Sequence, residues 1–305
     1  MALLRPLRVA PGAKVAVVAP SGPVFPDAFA SGAKLLASRY QPGYDPDALF
    51  GAEGFLAGSD AQRLARLQAA IRDPEARAVF VARGGHGLLR IASRIDPGLL
   101  HAHPKPIVGF SDGTVLLAAC ARAGVAAIHG PVVTQLGRLP AEDRDALFAL
   151  LESPEPRLLC AGLETLRPGR ASGPLVGGNL EVFSRLLGTQ LLPPVDGAIL
   201  FFEEVGERPY RIDRLFCHLD LAGVLARAAG VVFGALVDCE EPAESRVASP
   251  SAIEVVRERL GRLAVPVALG APVGHGERNR ALPYGVRVEL DATAGTLLAL
   301  EGAVA

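Results

Sequence analysis

Three short segments of this chain carry residue types that together can perform nucleophilic catalysis. Gly109-Phe110-Ser111-Asp112-Gly113 is a G-x-S-x-G pentapeptide, preceded by the apolar run Pro106 to Phe110 and followed by a helical pattern from Val115 to Ala121. A serine on a tight strand-to-helix turn projects its Oγ out of the sheet, and the flanking glycines let backbone and substrate approach closely. Asp112 then offers a backbone N–H at a helix start, where unsatisfied donors and the helix dipole favour a developing oxyanion. The pentapeptide equally suits a helix cap, because serine and aspartate are preferred N-cap types.

A serine nucleophile needs a base, and the chain has six histidines, His86, His101, His103, His129, His218 and His275. His275 stands apart. It lies in Gly274-His275-Gly276-Glu277-Arg278-Asn279, a glycine-flanked turn following the apolar run Val265 to Leu269, which would hold an imidazole at a strand's end. An imidazole in turn needs an acid to fix its tautomer and stabilise its cation. Ala198 to Phe202 runs into Glu203-Glu204, so one of the two carboxylates is expected to face inward, the alternative being a solvated strand end. Ser111, an acid at 203 or 204, and His275 follow the chain order of α/β-hydrolase triads. Arg83-Gly84-Gly85-His86-Gly87 lacks GK[ST] and is no complete G-x-G-x-x-G, but it can expose backbone N–H groups as a second oxyanion donor or an anion nest; a plain tight turn is the competing reading.

These residues need a scaffold, and the first half supplies the pattern of one. Short apolar runs at Lys14 to Ala19, Ala78 to Ala82 and Pro106 to Phe110 alternate with helical patterns, which is the signature of βα units around a parallel sheet. Ser59 with Gln62 three residues later forms a capping box, ahead of Leu64, Leu67 and Ile71 on one helical face. Between about Leu151 and Ser172 the periodicity fades into prolines, arginines and glycine, which places a linker there. The chain therefore divides into an α/β domain over 1–150, a linker over 151–172 and a more β-rich domain over 173–305. Strands are expected at Ala198 to Phe202, Val231 to Val237, Val265 to Leu269, Val286 to Leu290 and Leu297 to Leu300.

Composition narrows the chemistry further. Half of the 305 residues are hydrophobic and 21% charged, and the mean hydropathy is +0.31, values of a folded chain with a core. Thirty-one Lys+Arg against 32 Asp+Glu leaves a net charge of -1, so a nucleic acid is not an expected partner. No apolar run reaches membrane-spanning length, and the N-terminus shows no continuous signal-peptide core. Cys120, Cys160, Cys217 and Cys239 form no CxxC pair and no zinc-spaced cluster, which fits buried thiols in a reducing cytoplasm and no metal. Lys14, Lys34 and Lys105 are the only lysines, leaving little room for Schiff-base chemistry.

Taken in order, VAVVAPSGPV, FLAGSDAQRLARLQAAIRDP, ARGGHGLLRI, VGFSDGTVLL, GPLVGGNLEVFSRLLGT, ILFFEEVGERPYRIDRLFCHLDLAG and GAPVGHGERNRALPYGVRVELD resemble the LD-carboxypeptidases. That serine peptidase family includes muramoyltetrapeptide carboxypeptidase and the microcin C immunity peptidase. The resemblance implies an N-terminal flavodoxin-like domain carrying the serine and a C-terminal β-rich domain carrying the acid and base. It places the nucleophile on Ser111, the acid on Glu203 with Glu204 as the fallback, and the base on His275. It implies an oxyanion hole from the backbone N–H groups of Asp112 and Gly85, no cofactor and a homodimer. His86 departs from the tyrosine of many relatives, and with Gly84 it borders the expected substrate site; Arg83 is the candidate for a substrate's terminal carboxylate. The implied activity is metal-free release of D-alanine from murein tetrapeptides in peptidoglycan recycling. The alternatives are an immunity-type peptidase acting on aminoacyl-nucleotide conjugates, an esterase, and a non-catalytic ligand-binding module.

Overall fold

The computed structural model describes residues 3–242 and 248–305. The chain forms two compact units: one comprises Met1–Glu155, Arg280–Gly285 and Gly302–Ala305, the other Pro156–Asn279 and Val286–Glu301.

The first unit is built on strands β1 (Lys14–Val18), β2 (Gln41–Gly43), β3 (Val79–Val81), β4 (Ile107–Gly109) and β5 (Ala127–His129). They pair in parallel in the order β2-β1-β3-β4-β5, the flavodoxin-like order. Every residue of β3, β4 and β5 is buried, which is why these strands read as continuous apolar runs without alternation. The capping box at Ser59 forms, with Gln62 N–H donating to Ser59 Oγ at 3.3 Å and Ser59 N–H donating to Gln62 Oε1 at 3.0 Å. It starts helix Asp60–Arg72, which buries Leu64, Leu67 and Ile71.

The second unit holds an eight-stranded sheet. Its strands are β6 (Arg157–Cys160), β7 (Glu164–Arg167), β8 (Arg170–Asn179), β9 (Ile199–Val205), β10 (Gly230–Val237), β11 (Val267–Leu269), β13 (Arg287–Asp291) and β14 (Thr296–Ala299). The order is β6-β14-β13-β8-β9-β10-β11-β7, parallel from β8 to β11 and antiparallel on both flanks. Phe183, Phe201, Phe202, Phe216 and Phe233 are fully buried in its core, with Phe183 and Phe202 edge to face at 5.3 Å between centroids.

The structure corrects the expected boundaries. The segment 151–172 is no linker: helix Ala141–Glu152 ends in it, and it then forms β6, β7 and the start of β8. Its prolines lie between elements, and Arg157, Glu164 and Arg167 sit on the two edge strands, where charged side chains are usual. Nor does the chain after 173 stay in one unit. β12 (Leu282–Tyr284) returns to the first unit and pairs antiparallel with β5 in the register Leu282↔His129.

Candidate active site

The flavodoxin-like order reverses direction between β1 and β3, and crevices of this kind lie beyond the strands' C-terminal ends at such a switch. A cavity of about 590 Å³ opens there in the first unit. The segment after β1 contributes Gly22, Pro23 and Phe25, that after β3 contributes Arg83, Gly85 and His86, and Gly54 and Phe55 complete the wall. Phe25 and Phe55 are 61% and 64% exposed, high values for large apolar side chains. The His86 ring lies 5.6 Å from that of Phe55. Arg83 is held in place: its Nη1 donates to Pro23 O at 2.7 Å, and its guanidinium sits 5.5 Å above the Phe25 ring.

Ser111 follows β4 on a single turn, Ser111–Gly113, which leads into helix Thr114–Arg122. Its φ is 62°, in the left-handed region that a non-glycine residue enters at a cost, and strain of this kind is concentrated at functional turns. Gly84 faces it across the gap. A Cβ at Gly84 would stand 2.9 Å from Ser111 Cβ, 3.0 Å from Ser111 Oγ and 3.6 Å from the Asp112 backbone N, so only a residue without a side chain lets the two turns meet. The Asp112 carboxylate is buried and accepts from Leu88 N–H at 2.9 Å. Burial pushes this carboxyl above its ordinary range, against the Ser21 hydroxyl and the Leu88 N–H, which favour the charged form.

In the second unit, Glu203 and Glu204 lie within β9, one residue pair longer than the apolar run that led to them. Adjacent strand residues point to opposite faces, and the two carboxylates accordingly have different partners. Glu203 Oε2 lies 2.7 Å from His275 Nδ1, with Glu203 fully buried. Glu204 accepts from Asn179 Nδ2 at 2.8 Å, Glu181 N–H at 2.7 Å and Val205 N–H at 2.8 Å, and so caps the start of helix Leu180–Ser184. Burial nevertheless raises Glu204 to about 7, and the neighbouring Glu203 charge acts in the same direction. Asn179 is that helix's N-cap, its Oδ1 accepting from Val182 N–H at 3.1 Å.

The turn that presents His275 is closed by a residue to which sequence reasoning gave no role. Asn279 is fully buried, and its Oδ1 accepts the Gly274 N–H at 3.1 Å. Gly274 has φ 136°, and a Cβ there would stand 2.9 Å from Glu203 Oε2, so the chain passes close over the acid before it reaches His275. A proton on Nδ1, donated to Glu203, leaves the imidazole lone pair on Nε2, the form a general base requires. Among the described residues no group of three or more His, Cys, Asp or Glu side chains could hold a metal ion, and no helix is long and apolar enough to cross a membrane.

Comparison with known proteins identifies the family of the chain. Residues 15–130 match the LD-carboxypeptidase N-terminal domain, and residues 172–290 match the LD-carboxypeptidase C-terminal domain. The murein tetrapeptide carboxypeptidase of Pseudomonas aeruginosa is 35% identical over 91% of this chain and 93% of its own. The crystal structure of muramoyltetrapeptide carboxypeptidase from Oxalobacter formigenes is 27% identical, with a TM-score of 0.80 over 93% of this chain and 97% of its own. The microcin C7 self-immunity protein MccF, solved with aspartyl sulfamoyl adenosine, shares the fold with a TM-score of 0.88 over 99% of this chain and all of its own, at 20% identity. The chain belongs to the LD-carboxypeptidase family, an enzyme of the serine carboxypeptidase class.

Proposed function

We propose that this enzyme cleaves the bond between an L-configured centre and a terminal D-alanine in murein tetrapeptides, by way of a Ser111 acyl-enzyme. His275 takes the proton from Ser111 Oγ, which attacks the scissile carbonyl. The tetrahedral oxyanion is held by the backbone N–H groups of Asp112 and Gly85, a contribution of about 2.7–4 kcal/mol for each such donor. His275 then protonates the leaving amine of D-alanine, and water, deprotonated by the same imidazole, releases the tripeptide. Glu203 keeps the imidazole in the required tautomer and stabilises its cation throughout. Arg83, oriented by Pro23 and Phe25, takes the free carboxylate of the terminal residue, beside Gly84 and His86.

The observation that carries this reading is the 2.7 Å contact between His275 Nδ1 and the buried Glu203 carboxylate, in a chain of this family. Its setting is a homodimer in a reducing cytoplasm, in keeping with four free cysteines; sedimentation equilibrium tests the dimer. The deciding assay is D-alanine release from an L,D-linked murein tetrapeptide by the wild-type chain and by Ser111→Ala, each with EDTA. The expected result is release that survives EDTA in the wild type and falls by about 10⁴-fold or more in the variant, as loss of a triad nucleophile does. Absence of release by folded wild-type protein overturns the murein assignment. Undiminished release by Ser111→Ala overturns the nucleophile.

A second reading is favoured by one observation, the exposed Phe25 and Phe55 rings at the cavity, which suit a planar group better than a murein peptide does. Under it the same residues cleave aminoacyl-nucleotide conjugates. A higher kcat/KM on an aminoacyl sulfamoyl adenosine than on the tetrapeptide would establish it.

A further inference from the structure

We propose that Arg63 and Asp112 are positioning residues that clamp one peptide plane, and through it set the oxyanion-donor turn against the nucleophile. The inference rests on the serine mechanism above and adds two side chains to it. The peptide unit between Gly87 and Leu88 is gripped at both ends. Its carbonyl accepts from Arg63 Nη1 at 3.0 Å, and its N–H donates to Asp112 Oδ2 at 2.9 Å. A peptide unit is planar and stiff, so fixing both of its polar ends fixes the direction in which the chain leaves it. Back along that chain, within three residues, lie Gly85, the proposed donor, and Gly84, whose bare Cα faces Ser111.

The two clamping groups are buried for this. Arg63 is a wholly buried arginine, with none of its surface exposed. Besides Gly87 it donates to the Pro20 carbonyl through Nη1, to Gly58 O at 3.3 Å through Nε and to Asp60 through Nη2. One planar fork thereby ties together the segment after β1, the start of helix Asp60–Arg72 and the turn after β3. Removing an arginine from water is costly, and a lysine of the same charge could not reach these acceptors from one nitrogen. Asp112 is placed to make register automatic. Its backbone N–H is one proposed oxyanion donor while its carboxylate holds the turn that carries the other, so the two donors move together with Ser111.

The test uses a fluorophosphonate on the full chain, because its reaction needs the nucleophile and the oxyanion donors but no particular peptide. The Ser111 Oγ–P bond forms, the P–F bond breaks, fluoride leaves and the serine proton passes to the base. Second-order labelling rates and melting temperatures are measured for wild type, Arg63→Lys, Asp112→Ala, Asp112→Asn and, as a stability control on the same helix, Ile71→Val. Arg63→Lys and Asp112→Ala are expected to label roughly 10- to 100-fold more slowly, in the range of a misplaced oxyanion donor. Asp112→Asn, which keeps an oxygen for the Leu88 N–H, is expected to recover most of the rate, while Ile71→Val melts lower yet labels normally. Wild-type labelling rates in Arg63→Lys and Asp112→Ala overturn the clamp, as does a loss in Ile71→Val that scales with its melting temperature. If Arg63→Lys does not fold, the two Asp112 variants decide. A wild-type chain that is not labelled at Ser111 overturns the serine mechanism itself, a different failure from that of the clamp.

Discussion

Glu203 and Glu204 are adjacent and both buried, yet the geometry gives them separate tasks: one meets an imidazole and the other a helix start. Glu203→Gln keeps the shape but presents an amide to His275, and if its NH₂ faces Nδ1 the ring is driven to the wrong tautomer. We therefore expect kcat to fall by about 10⁴-fold with little change in KM, measured by D-alanine release. Glu204→Gln should leave kcat nearly unchanged. Its signature is in stability instead. Burial lifts the folded-state value of Glu204 from 4.5 to about 7, so between those pH values the folded chain retains a proton that the unfolded chain has released. This group's contribution to stability is therefore full below pH 4.5 and is lost as pH rises through 7. Melting temperatures at pH 5, 6 and 7 should show a decline that is shallower in Glu204→Gln than in wild type.

At the scale of elements, one turn in each unit carries a proposed reactive group, Ser111 or His275, and each depends on a residue with little chemistry of its own. Gly84→Ala sets a methyl 2.9 Å from Ser111 Cβ and 3.0 Å from its Oγ, so the elbow or the facing turn must shift. A displacement of about 1 Å in such a site can cost 10²-fold, and a loss of that order in kcat is expected, with far-ultraviolet circular dichroism unchanged. Asn279→Ala leaves the Gly274 N–H without its acceptor, a change of about 1–3 kcal/mol for a buried donor. It should lower both the melting temperature and kcat, whereas Asn279→Asp, which keeps an oxygen acceptor, should restore part of each. These dependencies also mark what was legible in the sequence. Ser111, His275 and the carboxylate pair stood out because their types, glycine flanks and strand-end positions are local signals. The capping box at Ser59 and the parallel sheet were legible for the same reason, since periodicity and caps are short-range. The role of Asn279 was not, although an asparagine inside a glycine-rich turn is a known turn-closing type. Arg63 was hidden among helix-face residues, because nothing in a helical pattern announces that one arginine is fully buried. Strands β6 and β7 read as a linker in the sequence because each has four residues with exposed members and neighbouring prolines, a pattern that edge strands share with loops.

On the scale of the whole molecule, the chain does not finish one unit before it begins the other. It leaves the first unit at 155, returns over 280–285, and returns again over 302–305. The middle return supplies β12, whose residues Leu282, Pro283 and Tyr284 are buried beside β5. Arg280, at its start, is anchored to helix Ala141–Glu152 through Glu142 and through Asp143 Oδ1 at 3.3 Å, Asp143 being fully buried. A fragment of residues 1–155 contains all five parallel strands and every residue of the G-x-S-x-G turn, so on sequence grounds it would pass for a domain. It lacks the strand that pairs with β5, and it lacks the arginine that holds helix Ala141–Glu152 through Glu142 and Asp143. An uncovered apolar edge strand is a template for pairing between chains. We expect the fragment to be aggregation-prone and to show no cooperative urea transition, whereas the full chain unfolds cooperatively. A soluble 1–155 fragment that unfolds cooperatively would show instead that the parallel sheet closes on its own, with β12 acting only as an attachment between the units.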